Sequence, residues 1–371
     1  MVAALPLACL LFPLVRTRAA IRGPRSIHIL ATEGEFGPFV HLLEYLRKEL
    51  PSLTKNDLVM VLSRRRHAFC ALYESELGIP IMTGHKFWIF VQQAILLQTS
   101  RSVVVRRLTN AAEGTLPTTP VRITQELLAE KNEILARLKI KEHQMVLMSV
   151  NVRSYDVENN PQYLSKELAL ESIGSELAPA LDFLESRHIP VMLVGSRDSG
   201  RSTIPRDIPR LDALGKLGGP EEVALASICR YFWTDNVGAW WLTAPFKRPV
   251  LFTNFARFKI RRGLVSPGSL FLPTRYERHD GTRVTFRDIL GQKSSPYKAA
   301  SRGELRIIRN SPDEIVEAHE EMLARLDGSW SETDESESLL SCYTQLMAEF
   351  PAFEPWRIPT AFLAKHPYLL D

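Results

Sequence analysis

Residues 144–156 read Gln-Met-Val-Leu-Met-Ser-Val-Asn-Val-Arg-Ser-Tyr-Asp, and residues 145–150 form a near-continuous apolar run. A strand with both faces buried reads this way, and such strands belong to parallel sheets covered by helices. The run stops abruptly at Asn151, Arg153, Ser154, Tyr155 and Asp156. In an open α/β sheet, ligands bind in the crevice outside the carboxyl ends of the strands. A guanidinium there offers a planar fork that pairs with phosphate oxygens. Arg153 therefore has two readings, a contact to a phosphate-bearing ligand or a salt bridge within its loop, and these residues alone do not separate them.

A chain of 371 residues exceeds what one core usually organises, so two domains are expected. At 45% apolar and 24% charged residues the composition is that of a soluble globular protein, and a net charge of +4 does not call for nucleic acid as a partner. Local basic clusters occur at residues 64–66, 106–107 and 257–262. They read either as solvated faces or as contacts for sugar phosphates or an anionic membrane. Cys9, Cys70, Cys229 and Cys342 are widely separated, with no CxxC pair and no histidine at metal-ligand spacing. That pattern is neither a zinc site nor a disulfide framework, and it suits a reducing compartment. Residues 3–15 are mostly apolar but contain Pro6 and Pro13 and lack a preceding basic region. The stretch is too short to span a bilayer and lacks the layout of a secretory signal. It reads as an interfacial anchor or a helix packed on the domain, which places the protein in the cytoplasm with peripheral attachment to the inner membrane as an option.

In the first half, residues 26–31 form a strand. The turn Thr-Glu-Gly-Glu-Phe-Gly-Pro follows, and then a helical pattern carrying Phe39, Leu42, Leu43 and Leu46. Strand, glycine-bearing turn and helix open a mononucleotide-type unit, but this is neither G-x-G-x-x-G nor a P-loop. Two acids argue against a phosphate cradle. A carboxylate at a strand end can instead take a proton from a sugar hydroxyl, with Glu35 first and Glu33 second. Gly34 and Gly37 of the same turn are substrate-binding candidates. The alternative is that one acid caps the following helix at its positive end. A second strand covers residues 57–62, a helix 67–77, a buried helix 87–97, and an amphipathic helix 124–138 bears Leu127, Leu128, Ile134, Leu135 and Leu138 inward. The domain boundary is expected between Ala111 and Ile140.

In the second half, a helical pattern over residues 164–187 leads to an apolar strand, 189–194, ending at Gly195-Ser196-Arg197-Asp198. Helix 221–228 and strand 230–233 end at Thr234-Asp235-Asn236, followed by a short helix over 238–244 and a strand over 249–254. Strands alternating with helices and ending in hydroxyl, amide, acidic or guanidinium groups describe a Rossmann-like domain. Ser311-Pro312-Asp313-Glu314 is a capping box with Pro at the first helical position. Ile315, Ala318, Met322, Leu323 and Leu326 form the inward stripe, and Gly328 ends the helix.

The order of these pieces resembles a family of bacterial glycosyltransferases associated with surface-polysaccharide gene sets. The residues that carry the resemblance are Ser149-Val150-Asn151-Val152-Arg153, Pro190-Val191-Met192-Leu193-Val194-Gly195, and Thr234-Asp235-Asn236-Val237-Gly238 with Pro245 to Val250 and Asn254. It continues through Val284 to Leu290, Asn310 to Ile315, Arg325 to Gly328, and Ile358 to Leu363. Coverage is good from about Met145 onward and weaker before it. Ala169-Leu170-Glu171-Ser172 stands where the family has an acidic-aromatic-Arg-Asn element, and Trp-Thr-Asp-Asn-Val-Gly stands for Ser-Thr-Asp-Ser-Gly. The Asn-Val-Arg element is more loosely similar to fucosyltransferase-like GT-B enzymes.

The resemblance implies a GT-B-like α/β protein: two Rossmann-like domains facing a cleft, with a C-terminal helix crossing back. The corresponding division is an apolar segment 1–20, an acceptor domain 21–125, a nucleotide-sugar donor domain 126–327 and a helical tail 328–371. Arg153 would neutralise charge on the leaving diphosphate, with Glu35 as the acceptor's base if the reaction inverts. Asn151, Tyr155, Ser196, Arg197, Thr234, Asp235 and Asn236 would line the donor pocket, although Asp235 equally suits a helix cap. A nucleotide-diphosphate sugar is the expected co-substrate and a glycan or lipid-linked molecule the acceptor, with no metal and no cofactor. Two other classes stay open: a non-catalytic polysaccharide-assembly protein of the same fold, and a nucleotide-sugar epimerase.

Overall fold

The computed structural model describes residues 26–31, 36–48, 58–61, 68–83, 102–107, 119–149, 174–194, 208–209, 219–235, 238–256, 265–292, 296–351 and 356–371. Its contacts divide the chain into two units, Met1–Glu130 with Gly218–Val223, and Lys131–Leu217 with Ala224–Asp371. Both are α/β units built on a parallel sheet.

The first unit contains β1 (Ser26–Ala31), α1 (Phe36–Lys48), β2 (Leu58–Val61), α2 (Ala68–Leu77), β3 (Ile81–Thr83) and β4 (Ser102–Arg107). The strands lie in the order β3-β2-β1-β4, all parallel, with Ile27 opposite both Leu58 and Val103. β4 is the β-branched run Ser-Val-Val-Val-Arg-Arg, which the sequence reading leaves unassigned. Val40, Leu43 and Leu46 of α1 and Phe69, Cys70, Leu72 and Leu77 of α2 are buried. Within this core Tyr73 Oη donates to the buried Glu44 carboxylate at 2.5 Å. Arg47 donates to Glu76 (3.0 Å) and to the carbonyls of Thr119 (2.7 Å) and Pro120 (2.9 Å), fastening the segment that leads to the next helix.

That helix, α3 (Gln125–Leu138), starts at Thr124, whose side chain accepts from Leu127 N–H at 3.2 Å, and it buries Leu127 and Ile134. The division between the units falls inside it.

The second unit continues with β5 (Val146–Ser149), α4 (Gly174–Ser186), β6 (Val191–Leu193), α5 (Pro220–Ile228, of which it takes the residues from Ala224 on), β7 (Tyr231–Thr234), β8 (Val250–Phe255) and β9 (Leu270–Pro273). The parallel sheet has the order β6-β5-β7-β8-β9. Every residue of β5, β7, β8 and β9 is buried, the signature that the apolar run at residues 145–150 announced. Between β7 and β8 the expected helix over 238–244 is two short 3-10 turns, Gly238–Leu242 and Ala244–Phe246. Pro245 has no N–H to continue an α-helix, which accounts for the break. β9 and the antiparallel pair β10 (Arg275–Glu277) and β11 (Arg306–Ile308) were not anticipated, because runs of three or four residues are too short for periodicity to register. The short helices α6 (Phe286–Gly291) and α7 (Pro296–Ser301) lie between them in the chain.

Helix α8 (Pro312–Leu326) opens with the expected capping box: Ser311 Oγ accepts from Glu314 N–H at 3.2 Å, and the Glu314 carboxylate accepts from Ser311 N–H at 2.7 Å. Ile315, Ala318, Met322 and Leu323 face the core as expected, whereas Leu326 in the last turn is 37% exposed. Gly328 follows at φ +70°, the left-handed conformation that glycine adopts without steric cost.

The C-terminal residues, with α9 (Asp334–Ala348) and α10 (Thr360–Lys365), cluster with the second unit. Phe271 N–H donates to Arg357 O at 2.8 Å, so the tail takes up one of the hydrogen-bonding groups of β9. Three carboxylates along α8 then receive the tail: Glu321 takes Thr360 N–H (2.8 Å), Glu317 takes Lys365 (2.6 Å) and Glu314 takes His366 (2.5 Å).

Candidate functional site

In each sheet the chain reverses its direction of strand addition once. In the first unit it runs from β1 through β2 to β3 and then returns to the other side of β1 as β4; in the second it places β6 on one side of β5 and β7 on the other. The switch points are therefore β1/β4 and β5/β7, and crevices at such points are where open α/β sheets hold ligands. Strand β5, singled out by its apolar run and polar ending, borders one of them.

At the β5/β7 switch, Ser149 and Thr234 pair in register as the last residues of their strands. Thr234 Oγ1 donates to Ser149 O at 2.7 Å, and both residues are buried. The bond sews the two strand ends together and consumes the Thr234 hydroxyl, which makes this residue a wall of the crevice more than a donor into it. Asp235 follows immediately and is fully buried. Of the other donor-side candidates, Asn151, Arg153 and Tyr155 follow β5, Ser196 and Arg197 follow β6, and Asn236 follows β7; all six lie outside the described residues. The strands they follow are contiguous in the order β6-β5-β7. Tertiary structure thus gathers the strand ends that lead into these residues at one stretch of the carboxyl edge.

At the β1/β4 switch, Ala31 ends β1 opposite Arg107, the last residue of β4. Glu33, Gly34 and Glu35 lie between β1 and α1, outside the described residues. Gly37 is placed differently from expectation. Helix α1 begins at Phe36, so Gly37 and Pro38 belong to its first turn, where the missing proline N–H needs no partner.

One part of the second crevice had no role assigned from sequence. β8 continues past the level of its neighbour: Phe252 pairs with Thr234, and the strand runs on to Phe255 with an irregularity in between. Within that overhang Asn254 has φ +49°. Its N–H donates to Asn310 Oδ1 at 2.5 Å, its Oδ1 accepts from Asn310 N–H at 2.8 Å, and Asn310 Nδ2 donates to Pro273 O at 2.9 Å. Beside it, Arg309 donates to Glu176 in the first turn of α4 at 3.0 Å. Asn254 and Asn310 both lie in segments that carry the family resemblance, but no local pattern says that they meet.

Among the described residues, Glu314, His319 and Cys229 of this unit are engaged in packing and hydrogen bonding. Burial would push the Glu314 carboxyl up, but hydrogen bonds from His366 and Ser311 N–H and the nearby Arg275 outweigh it and hold the carboxyl below its ordinary range. His319 is fully buried with Nδ1 at 2.6 Å from Tyr231 Oη, and burial lowers its pKa to about 3, so it is neutral. Cys229, expected to be a core residue, is fully buried and its thiol is pushed up to about 12 by burial, which leaves it unreactive. Among the described residues no group of His, Cys, Asp and Glu is arranged to hold a metal ion, and no helix is long and apolar enough to cross a membrane.

No family model and no curated protein matches the chain by sequence. Among solved structures, the chain is similar to a family 9 glycosyl transferase from Veillonella parvula DSM 2008, at 14% identity and TM-score 0.37 over 77% of this chain and 79% of that one. It is similar to the ADP-heptose LPS heptosyltransferase II of E. coli at 12% identity and TM-score 0.41, over 82% and 99% of the two chains. It is also similar to the dodecameric iron-containing heptosyltransferase TibC in complex with ADP-D-beta-D-heptose, at 14% identity and TM-score 0.43, over 83% and 79%. Likenesses this distant assign no activity to this chain.

Proposed function

We propose that this protein is a glycosyltransferase that moves a sugar from a nucleotide-diphosphate donor to a glycan or lipid-linked acceptor. The observation that carries the reading is the position of β5: the strand that leads into Asn151, Arg153 and Tyr155 borders the topological switch point of its sheet. A diphosphate seated there gathers charge as the glycosidic bond to the donor breaks. Fixed cationic groups aimed at that charge are the largest electrostatic aid such a step can have. Arg153 is assigned this role. Ser196, Arg197, Asp235 and Asn236 supply hydrogen bonds to the nucleotide and sugar, while Thr234 holds the strand ends. In the first unit Glu35 accepts the proton of the attacking hydroxyl. No step is routed through a metal ion. The apolar stretch 3–15 and the basic clusters give the same reading a membrane-bound acceptor, which flotation with anionic vesicles tests.

The direct test is calorimetric titration with UDP, GDP, CMP and ADP, followed by Arg153→Ala. One nucleotide should bind, and the variant should lose on the order of a hundredfold or more in transfer with the unfolding midpoint unchanged. A folded Arg153→Ala variant with wild-type turnover removes Arg153 from the mechanism. Nucleotide binding without transfer to any acceptor favours the non-catalytic assembly role.

A further inference from the structure

We propose that Asn254 and Asn310 are positioning residues that preform the nucleotide crevice of the second unit, an inference that rests on the function proposed above. A non-glycine residue at positive φ inside a strand is uncommon, and Asn tolerates that conformation better than most. Such a conformation persists only where its surroundings over-determine it, and bulges that turn a strand recur beside functional sites.

Here the surroundings are specific. The two asparagines exchange backbone-to-side-chain hydrogen bonds at 2.5 and 2.8 Å while 3% and 2% exposed, and the Asn310 amide also holds the final carbonyl of β9. A single pair of side chains therefore ties the ends of β8 and β9 to the start of α8. The neighbouring Arg309–Glu176 pair carries the tie on to the start of α4. Beyond Asn254 the overhang is secured twice more, by Thr274 N–H to Phe255 O (3.2 Å) and Tyr276 Oη to Ala256 O (2.8 Å).

What this raises is a wall. Phe252 stands level with Thr234, so Asn254 lies two positions beyond the end of β7, on the side of β7 away from β5, and would rim the space proposed for the nucleotide beyond the β7 end. A nucleotide entering that space meets a rim already in its bound position, and ordering the rim no longer opposes binding. Asn254 and Asn310 act through this rim, since Asn254 Oδ1, Asn310 Oδ1 and Asn310 Nδ2 are all engaged with backbone groups.

The experiment compares nucleotide affinity with stability. Asn310→Ala removes both the acceptor for Asn254 N–H and the donor to Pro273; Asn254→Gly keeps the left-handed backbone but removes the acceptor for Asn310 N–H. ADP, UDP, GDP and CMP are titrated calorimetrically into wild type and both variants, at a temperature where circular dichroism shows all of them folded. The nucleotide bound by wild type should bind Asn310→Ala roughly tenfold or more weakly, the scale on which small misplacements act. A variant that melts earlier yet keeps the wild-type Kd overturns the positioning role and leaves the function reading standing. Wild type that binds none of the four nucleotides overturns the function reading instead. Should Asn310→Ala fail to fold, Asn254→Gly is read by the same criterion.

Discussion

His319 shows what a buried residue does when it has a stability role and no catalytic one. Its ring lies edge-on to Trp233, with centroids 4.3 Å apart, and Nδ1 faces Tyr231 Oη at 2.6 Å. Burial depresses its pKa to about 3 from the ordinary 6.5. In the unfolded chain the imidazole takes up a proton as pH falls below about 6.5, whereas in the folded protein it stays neutral until about pH 3. The unfolded state therefore binds more protons across this window, and stability present at neutral pH is lost as pH falls through it. The contribution is on the order of a few kcal/mol. Urea midpoints of wild type and His319→Gln between pH 7 and pH 4 should show a steeper decline for wild type; equal slopes would refute the assignment. The sequence offers no hint of this, because a histidine on a helix stripe looks the same whether its ring faces solvent or a tryptophan.

Among the elements, α8 is the most fully encoded locally. Its cap, its apolar stripe and its terminating glycine are all sequence patterns at fixed spacing, and the structure contains all three apart from the exposed Leu326. What the pattern omits is the second use of its polar face. Glu321, 1% exposed, accepts from Thr360 N–H at 2.8 Å and from Arg325 at 2.7 Å. Glu332 collects Arg325, Arg357 and Trp330, and these bonds hold its pKa near 2 despite the opposing effect of burial. Glu321→Ala should cost about 2–3 kcal/mol by stranding a buried N–H and removing one of the two carboxylates that Arg325 binds, while Glu321→Gln should cost less. Chemical denaturation of the two variants measures the difference. If both are neutral, the tail is not held this way. β4 was illegible for the opposite reason: its assignment depends on a partner remote in sequence, β1.

At the level of the whole molecule, the proposed chemistry relies on guanidinium and hydrogen-bonding side chains that follow the strand ends, so chelator should leave nucleotide affinity unchanged. Calorimetric titration with and without EDTA checks this, and a lost signal would point to a metal-assisted mechanism. The sequence by itself determined the α/β class, most of the second sheet's strands, the caps of α8 and the polar strand endings, because hydrophobic periodicity and capping are properties of neighbours along the chain. Only the tertiary structure decided that β4 lies beside β1 and β7 beside β5, creating the two switch points. Only it brought Asn254 to Asn310 across 56 positions of sequence. Strand order and long-range pairing follow from which buried faces complement one another, and that complementarity is a property of the packed chain and has no local signature.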